Sequence, residues 1–113
     1  MITAGDFVEG KPTIVLLTRG LHLTLLAHDF TGTSGYWDID AERARFCKRV
    51  VFYFYPPWSA VAYAIVANVT DAYDQNGKTV IEFVDWQIRG TTEANWAQFT
   101  NTAPGNRNPA HYL

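Results

Sequence analysis

The strongest constraint on this chain is a pair of long β-prone runs, Val61 to Asp74 and Thr79 to Arg89, on either side of Asp74-Gln-Asn-Gly-Lys78. Asn-Gly is the favoured centre of a two-residue type I′ turn, whose twist matches that of the strands it joins. A hairpin closed at Asn76-Gly77 sets Tyr73 opposite Val80, Val69 opposite Val84, Ala67 opposite Trp86 and Ile65 opposite Ile88. Because side chains alternate along a strand, these eight residues form one apolar face, which the pattern predicts as the core face. The other face mixes Ala64, Val66 and Phe83 with Asn68, Asp85 and Gln87, the make-up of an exposed sheet surface or of a wall facing a ligand. The same register puts Asp71 against Glu82, a like-charge pair that sheets disfavour. Either the hairpin tip is solvated, where screening makes the pair cheap, or the loop is longer than two residues.

Other segments carry shorter signals. Thr13-Ile-Val-Leu-Leu-Thr18, between Pro12 and Gly20, reads as a buried strand. Leu21-His-Leu-Thr-Leu25 alternates and predicts a second strand reaching about Phe30, joined to the first by a tight turn at Gly20 if the two pair. Thr31-Gly-Thr-Ser-Gly35 has the composition of a loop. Asp40 to Arg49 predicts two helical turns or a helical linker, with Asp40 as N-cap and basic residues gathered toward the C-terminal end, where the helix dipole favours them. Val50 to Tyr55 predicts a strand ended by Pro56-Pro57, with Val50, Phe52 and Phe54 on the core side and Tyr53 and Tyr55 on the other. Thr91 to Asn101 predicts a short helix capped by Thr91 or Thr92, whose Trp96 and Phe99 share one side and plug an open end of the sheet. The segment from Ala103 is rich in breakers and irregular, with Tyr112 and Leu113 placed to dock back. The expected fold is a single α+β domain over residues 1–113, a small curled sheet or pseudo-barrel of five to six mostly antiparallel strands with two short helices.

Composition narrows the function. A chain of 113 residues, 48% of them hydrophobic, suits one domain with a real core. One cysteine excludes a disulfide framework and any zinc site built from several thiolates. A formal net charge of -2 argues against a protein that coats itself with nucleic acid through positive charge alone. The opening residues carry acids where a signal peptide needs a basic flank, and the longest apolar runs fall far short of the ~20 residues of a membrane span. An intracellular, cytoplasmic protein with no membrane partner is expected. No GxGxxG, P-loop, HExxH, GxSxG or CxxC pattern occurs, so no cofactor is predicted. His22, His28 and His111 are scattered, and adjacent His28 and Asp29 point to opposite sides of a strand, so no metal site is predicted. Cys47 lies among Arg45, Lys48 and Arg49, whose charge favours a reactive thiolate. The reading preferred here is a small core residue beside Phe46.

Aromatic residues make up 15% of the chain, including four Trp. Most large aromatics build cores, yet Tyr and Trp also form flat walls that stack on bases. The notable cluster is Gly35-Tyr36-Trp37-Asp38 together with Arg43, Arg45, Tyr53, Tyr55 and Trp58. Aromatic faces beside an Asp and two Arg suit a planar heterocycle held by stacking, with polar groups reading its edge. The predicted ligand set is Trp37, Asp38, Arg43, Arg45, Tyr53, Tyr55, Trp58, Asn68 and Asp85. The plain alternative is that these aromatics pack over the second side of the sheet.

Lys48-Arg-Val-Val-Phe-Tyr-Phe-Tyr55, the later Ala62-Tyr-Ala-Ile-Val-Ala-Asn-Val-Thr-Asp-Ala-Tyr73, and Trp37-Asp-Ile39 give a layout that resembles the PUA-like superfamily, especially EVE and ASCH domains, over roughly residues 36–88. Lys48-Arg49 stands where that family usually has Gly-Asp. The resemblance implies a pseudo-barrel whose pocket accepts a nucleotide or modified base, without catalysis.

The leading expectation is therefore a small binding domain for a nucleotide or modified nucleic-acid base. A base would stack on Trp37, Tyr53 or Trp58, Arg43 and Arg45 would meet phosphate, and Asp38 or Asp85 would accept from the base edge. A second is a small barrel-type enzyme, with Asp85 or Asp38 as general base and a Tyr or His28 as acid; Asp85 beside Asn68 and Gln87 is the best candidate for a carboxylate of raised pKa in an apolar pocket. A third is a protein-interaction or inhibitor module, a homodimer or the subunit of an assembly, with exposed Tyr and Trp as hot spots.

Overall fold

A computed structural model describes residues 1–26, 30–55, 59–72 and 77–113. The apolar run between Pro12 and Gly20 forms β1 (Thr13–Thr18), buried along its whole length. A strand apolar on both faces belongs inside a sheet covered on both sides. β1 lies between β4 (Arg49–Phe54), parallel to it with Ile14 opposite Val50 and Leu16 opposite Phe52, and β7 (Ala110–Tyr112), antiparallel to it. The full order is β2 (Leu23–Leu26), β3 (Thr31–Trp37), β6 (Lys78–Thr91), β5 (Ala60–Ala72), β4, β1, β7, with every neighbour pair except β1 and β4 antiparallel. The fold is α+β, as expected, but among the described residues the sheet has seven strands rather than five or six and is not closed into a barrel.

Both added strands were masked by composition. Thr31 to Gly35 is strand, not loop: its small residues let β3 approach β2 closely, and a Cβ on Gly32 would stand 2.2 Å from the Thr24 carbonyl oxygen. Docking of Tyr112 and Leu113 is borne out as β7, with Leu113 and Thr13 exchanging backbone hydrogen bonds of 2.9 and 3.0 Å. β1 and β2 do not form a hairpin; beyond Gly20, at φ 85°, β2 pairs with β3 at the far edge.

The hairpin of β5 and β6 exists, in a different register. Thr70, not Tyr73, lies opposite Val80, and Ala72 lies opposite Lys78, so the loop is longer than two residues; Tyr73 and Asn76 lie outside the described residues. An odd slip of three turns side chains over. Val69, Ile81 and Phe83 are buried, whereas Ile65 and Ile88 of the expected core face are exposed. Register shifts along β5, together with Asp85 at φ 56°, accompany the inward packing of Trp86. The like-charge conflict disappears: Asp71 faces Thr79, Glu82 faces Asn68, and Arg45 approaches Asp71 at 3.9 Å.

Side chains fill two cores. On one face Ile14, Leu16, Val50, Phe52, Ala62, Ile81 and Phe83 pack with Ala44 and Cys47 at α1 (Ala41–Arg45), whose N-cap is Asp40 as predicted, its carboxylate accepting from the Glu42 amide at 3.0 Å. On the other face Val15, Leu17, Val51, Tyr53 and Val61 lie beneath Ala4 of a 3₁₀ turn (Ala4–Phe7) and beneath Trp96 and Phe99 of α2 (Trp96–Thr100). α2 is capped by Asn95 in a capping box with Gln98, not by Thr91 or Thr92. Thr92 instead donates to the Ile2 carbonyl at 2.6 Å and accepts from the Ala94 amide at 3.2 Å. Trp96 and Phe99 do share a side, and they cover a face of the sheet. No helix among the described residues is long and apolar enough to cross a membrane.

Candidate ligand-binding site

Parallel strands end on the same side of a sheet, so β1 and β4 deliver Arg19 and Tyr55 together, with the Tyr55 amide donating to the Thr18 carbonyl at 3.0 Å. The irregular end of β3 brings up Tyr36 and Trp37, and the Gly35 amide donates to the His22 carbonyl at 3.1 Å. The result is a cavity of about 280 Å³ lined by Leu17, Thr18, Arg19, Leu21, His22, Gly35, Tyr36, Trp37 and Tyr55. Two ring contacts frame it. The His22 and Tyr36 rings lie 4.7 Å apart, and the Arg19 guanidinium lies 4.6 Å from the centre of the Tyr55 ring. Trp37 is half-buried and held in place by its indole N–H, which donates to Ser34 Oγ at 2.9 Å. Among the described lining residues Arg19 is the one side chain with a permanent charge, which favours an electron-rich or anionic guest.

Of the residues predicted from sequence, Trp37 and Tyr55 meet here. Asp38 and Arg43 line a second cavity of about 370 Å³ with Asp40, Asn108, His111 and Tyr112, where Arg43 stacks over Tyr112 at 4.0 Å. Arg45 is held by Glu42, Asp71 and the Val69 carbonyl. Tyr53 is a core residue: its ring packs against Trp96 and Phe99, and its hydroxyl donates to the Ala94 carbonyl at 2.7 Å. Asn68 is exposed, and its side-chain oxygen accepts from the Val69 amide. Asp85 is exposed on β6 rather than enclosed in an apolar pocket. Trp58 and His28 lie outside the described residues. Arg19 and His22 escaped the sequence reading, whereas Tyr36 belonged to the notable Gly35-Tyr36-Trp37-Asp38 cluster but not to the predicted ligand set. The one signal for Arg19 and His22 was position, just after the end of β1 and just before the start of β2.

Cys47 behaves as the preferred reading holds. It is buried, its thiol points to the Arg43 carbonyl at 3.9 Å, and burial pushes its pKa up against the smaller opposing pull of Arg43. Nearby, the Tyr112 hydroxyl is buried with no partner among the described residues, and burial raises its pKa. His111 is shifted down, first by burial and then by the Arg43 charge. A histidine depressed in the native state takes up its proton more readily in the unfolded chain, so stability falls as pH drops below the ordinary value of 6.5 and levels off below the native pKa. Urea midpoints measured from pH 7.5 to 5 should therefore decline, and His111→Gln should flatten that decline. An identical slope in the variant contradicts the assignment.

Among the described residues, no three His, Cys, Asp or Glu side chains are grouped to hold a metal. Comparison with known protein families, curated proteins and solved structures returned no match.

Proposed function

We propose that this is a binding domain for a nucleotide or a modified nucleic-acid base, held in the cleft between the ends of β1 and β4 and the end of β3. The observation that carries the reading is the convergence of three accessible rings, His22, Tyr36 and Tyr55, with Trp37 and a single cation around one cavity. A base stacks on the rings and Arg19 meets a phosphate. The described lining holds one histidine and no carboxylate or thiol, which supports binding over catalysis. A PUA-like relationship belongs to the same proposal: the two main segments that carry the resemblance lie largely in adjacent strands, β4 and β5.

Titration with nucleoside monophosphates and modified oligonucleotides, followed by tryptophan fluorescence, tests it. Quenching is expected. Tyr36→Ala and Tyr55→Ala should each weaken binding by about 1–3 kcal/mol, the contribution of one stacked base. Arg19→Ala should remove about one phosphate's share of the salt dependence. Absence of quenching, or unchanged affinity in all three folded variants, overturns the proposal. An interaction module is the second reading, supported by exposed Leu21, Leu25, Leu26 and Phe30 along the β2 edge. Concentration-dependent sedimentation of the free protein would favour it.

A further inference from the structure

At the opposite end of β4 the second face of the sheet is covered unevenly. α2 seals the middle, while the 3₁₀ turn and the residues after it bound a cavity of about 420 Å³. Its floor carries two cations from different strands, Arg49 and Arg89, beside Tyr63 and Gln87. Phe7 lies over Tyr63, with ring centres 6.0 Å apart and planes 26° from parallel.

Arg49 is the unusual member. Its side chain is 13% exposed, and it donates to the Phe7 carbonyl at 3.1 Å and lies 5.5 Å from the Tyr63 ring centre. A guanidinium withdrawn from water needs a counter-charge. The one it has among the described residues is Glu9, at 3.0 Å, whose side chain is 70% exposed. Glu9 sits outside the regular elements with φ 48°, a conformation that a residue with a Cβ adopts at a cost. The other acid at the rim, Asp6, is committed to the Thr3 amide at 2.9 Å. A deep cation is thus neutralised by a solvent-exposed carboxylate, while a second arginine, bonded to Gln87 at 2.9 Å, lines the same cavity.

We propose that this cavity is a site for a small molecule bearing a carboxylate or phosphate, and that Glu9 is its internal stand-in. The incoming oxyanion displaces Glu9, takes the forked donors of Arg49 and draws on Arg89, and the flat Phe7 and Tyr63 rings receive the rest of the molecule. This site shares no lining residue with the aromatic cleft, so it stands whether or not a nucleotide binds there.

The test uses the full chain, calorimetric titration with sodium phosphate and with sodium acetate, and ionic strength held constant with sodium chloride. Glu9→Gln removes the internal competitor and should tighten binding by about fivefold, the scale of one exposed ion pair. Arg89→Gln, an exposed substitution, should weaken binding at least as much without altering the ligand-free melting temperature. Arg49→Gln should abolish binding; if it does not fold, the other two variants carry the test. The anion that binds more tightly identifies the head group. Equal affinity of wild type and Glu9→Gln, or heat effects that chloride reproduces, overturns the proposal.

Discussion

Phe52→Ala is expected to lower the free energy of unfolding by about 3–5 kcal/mol. Phe52 has no solvent exposure and sits in the middle of β4, between Leu16 on β1 and Ala62 on β5. Its ring meets Phe83 edge-on at 5.4 Å and Trp86 at 5.2 Å, so its removal takes away the centre of an aromatic cluster as well as buried area. The neighbour on β5 is an alanine, too small to fill the space, and strand pairing on both sides keeps the backbone from closing in. Since a domain of this kind has about 5–15 kcal/mol in total, the variant should be unfolded or close to it at 37 °C. Urea unfolding should show a lower midpoint at unchanged slope. A loss under about 1 kcal/mol would contradict the packing described.

The second large effect concerns Gly32→Ala, a change that adds one methyl group. That methyl would lie 2.2 Å from the Thr24 carbonyl oxygen and 2.8 Å from the tip of the Phe83 ring. A ring tip can move, but a strand carbonyl cannot without opening the pairing of β2 with β3. Overpacking of this kind costs about 1–3 kcal/mol, and contact with backbone places it at the upper end. Hydrogen exchange should therefore accelerate at Leu23–Leu26 before the rest of the sheet. A second substitution, Phe83→Leu, should relieve the ring contact only and leave most of that acceleration. Normal protection of β2 in Gly32→Ala would refute the close approach.

The parts of the fold legible from sequence were those set by local chemistry. Thr13–Thr18 reads as a buried strand, Asp40 as a helix N-cap, and the two long runs as partners in a hairpin, and each of these elements is present. The register was not legible, because Asn-Gly is a strong turn signal and the longer loop wins through contacts elsewhere: Ile81 and Phe83 reach the core only in the observed pairing. The Asp71 and Glu82 clash was the readable sign of trouble. Alternation placed Tyr53 correctly on the second face of β4, yet whether that face is open depends on α2, more than forty residues away. The candidate site was half legible for the same reason. Tyr36, Trp37 and Tyr55 stood out by type, whereas Arg19 and His22 gain meaning only once β1 and β4 run parallel and end together.

That arrangement also sets a timetable for biosynthesis. β1 is made early, but its neighbours are β4 and β7, the second about ninety residues further along the chain. At roughly 5–20 residues per second, translation leaves the Ile14–Leu17 run without its second flank for roughly 5–20 s. Throughout that interval it offers free backbone donors and acceptors on an apolar ribbon, which is how nascent chains come to join one another on a crowded polysome.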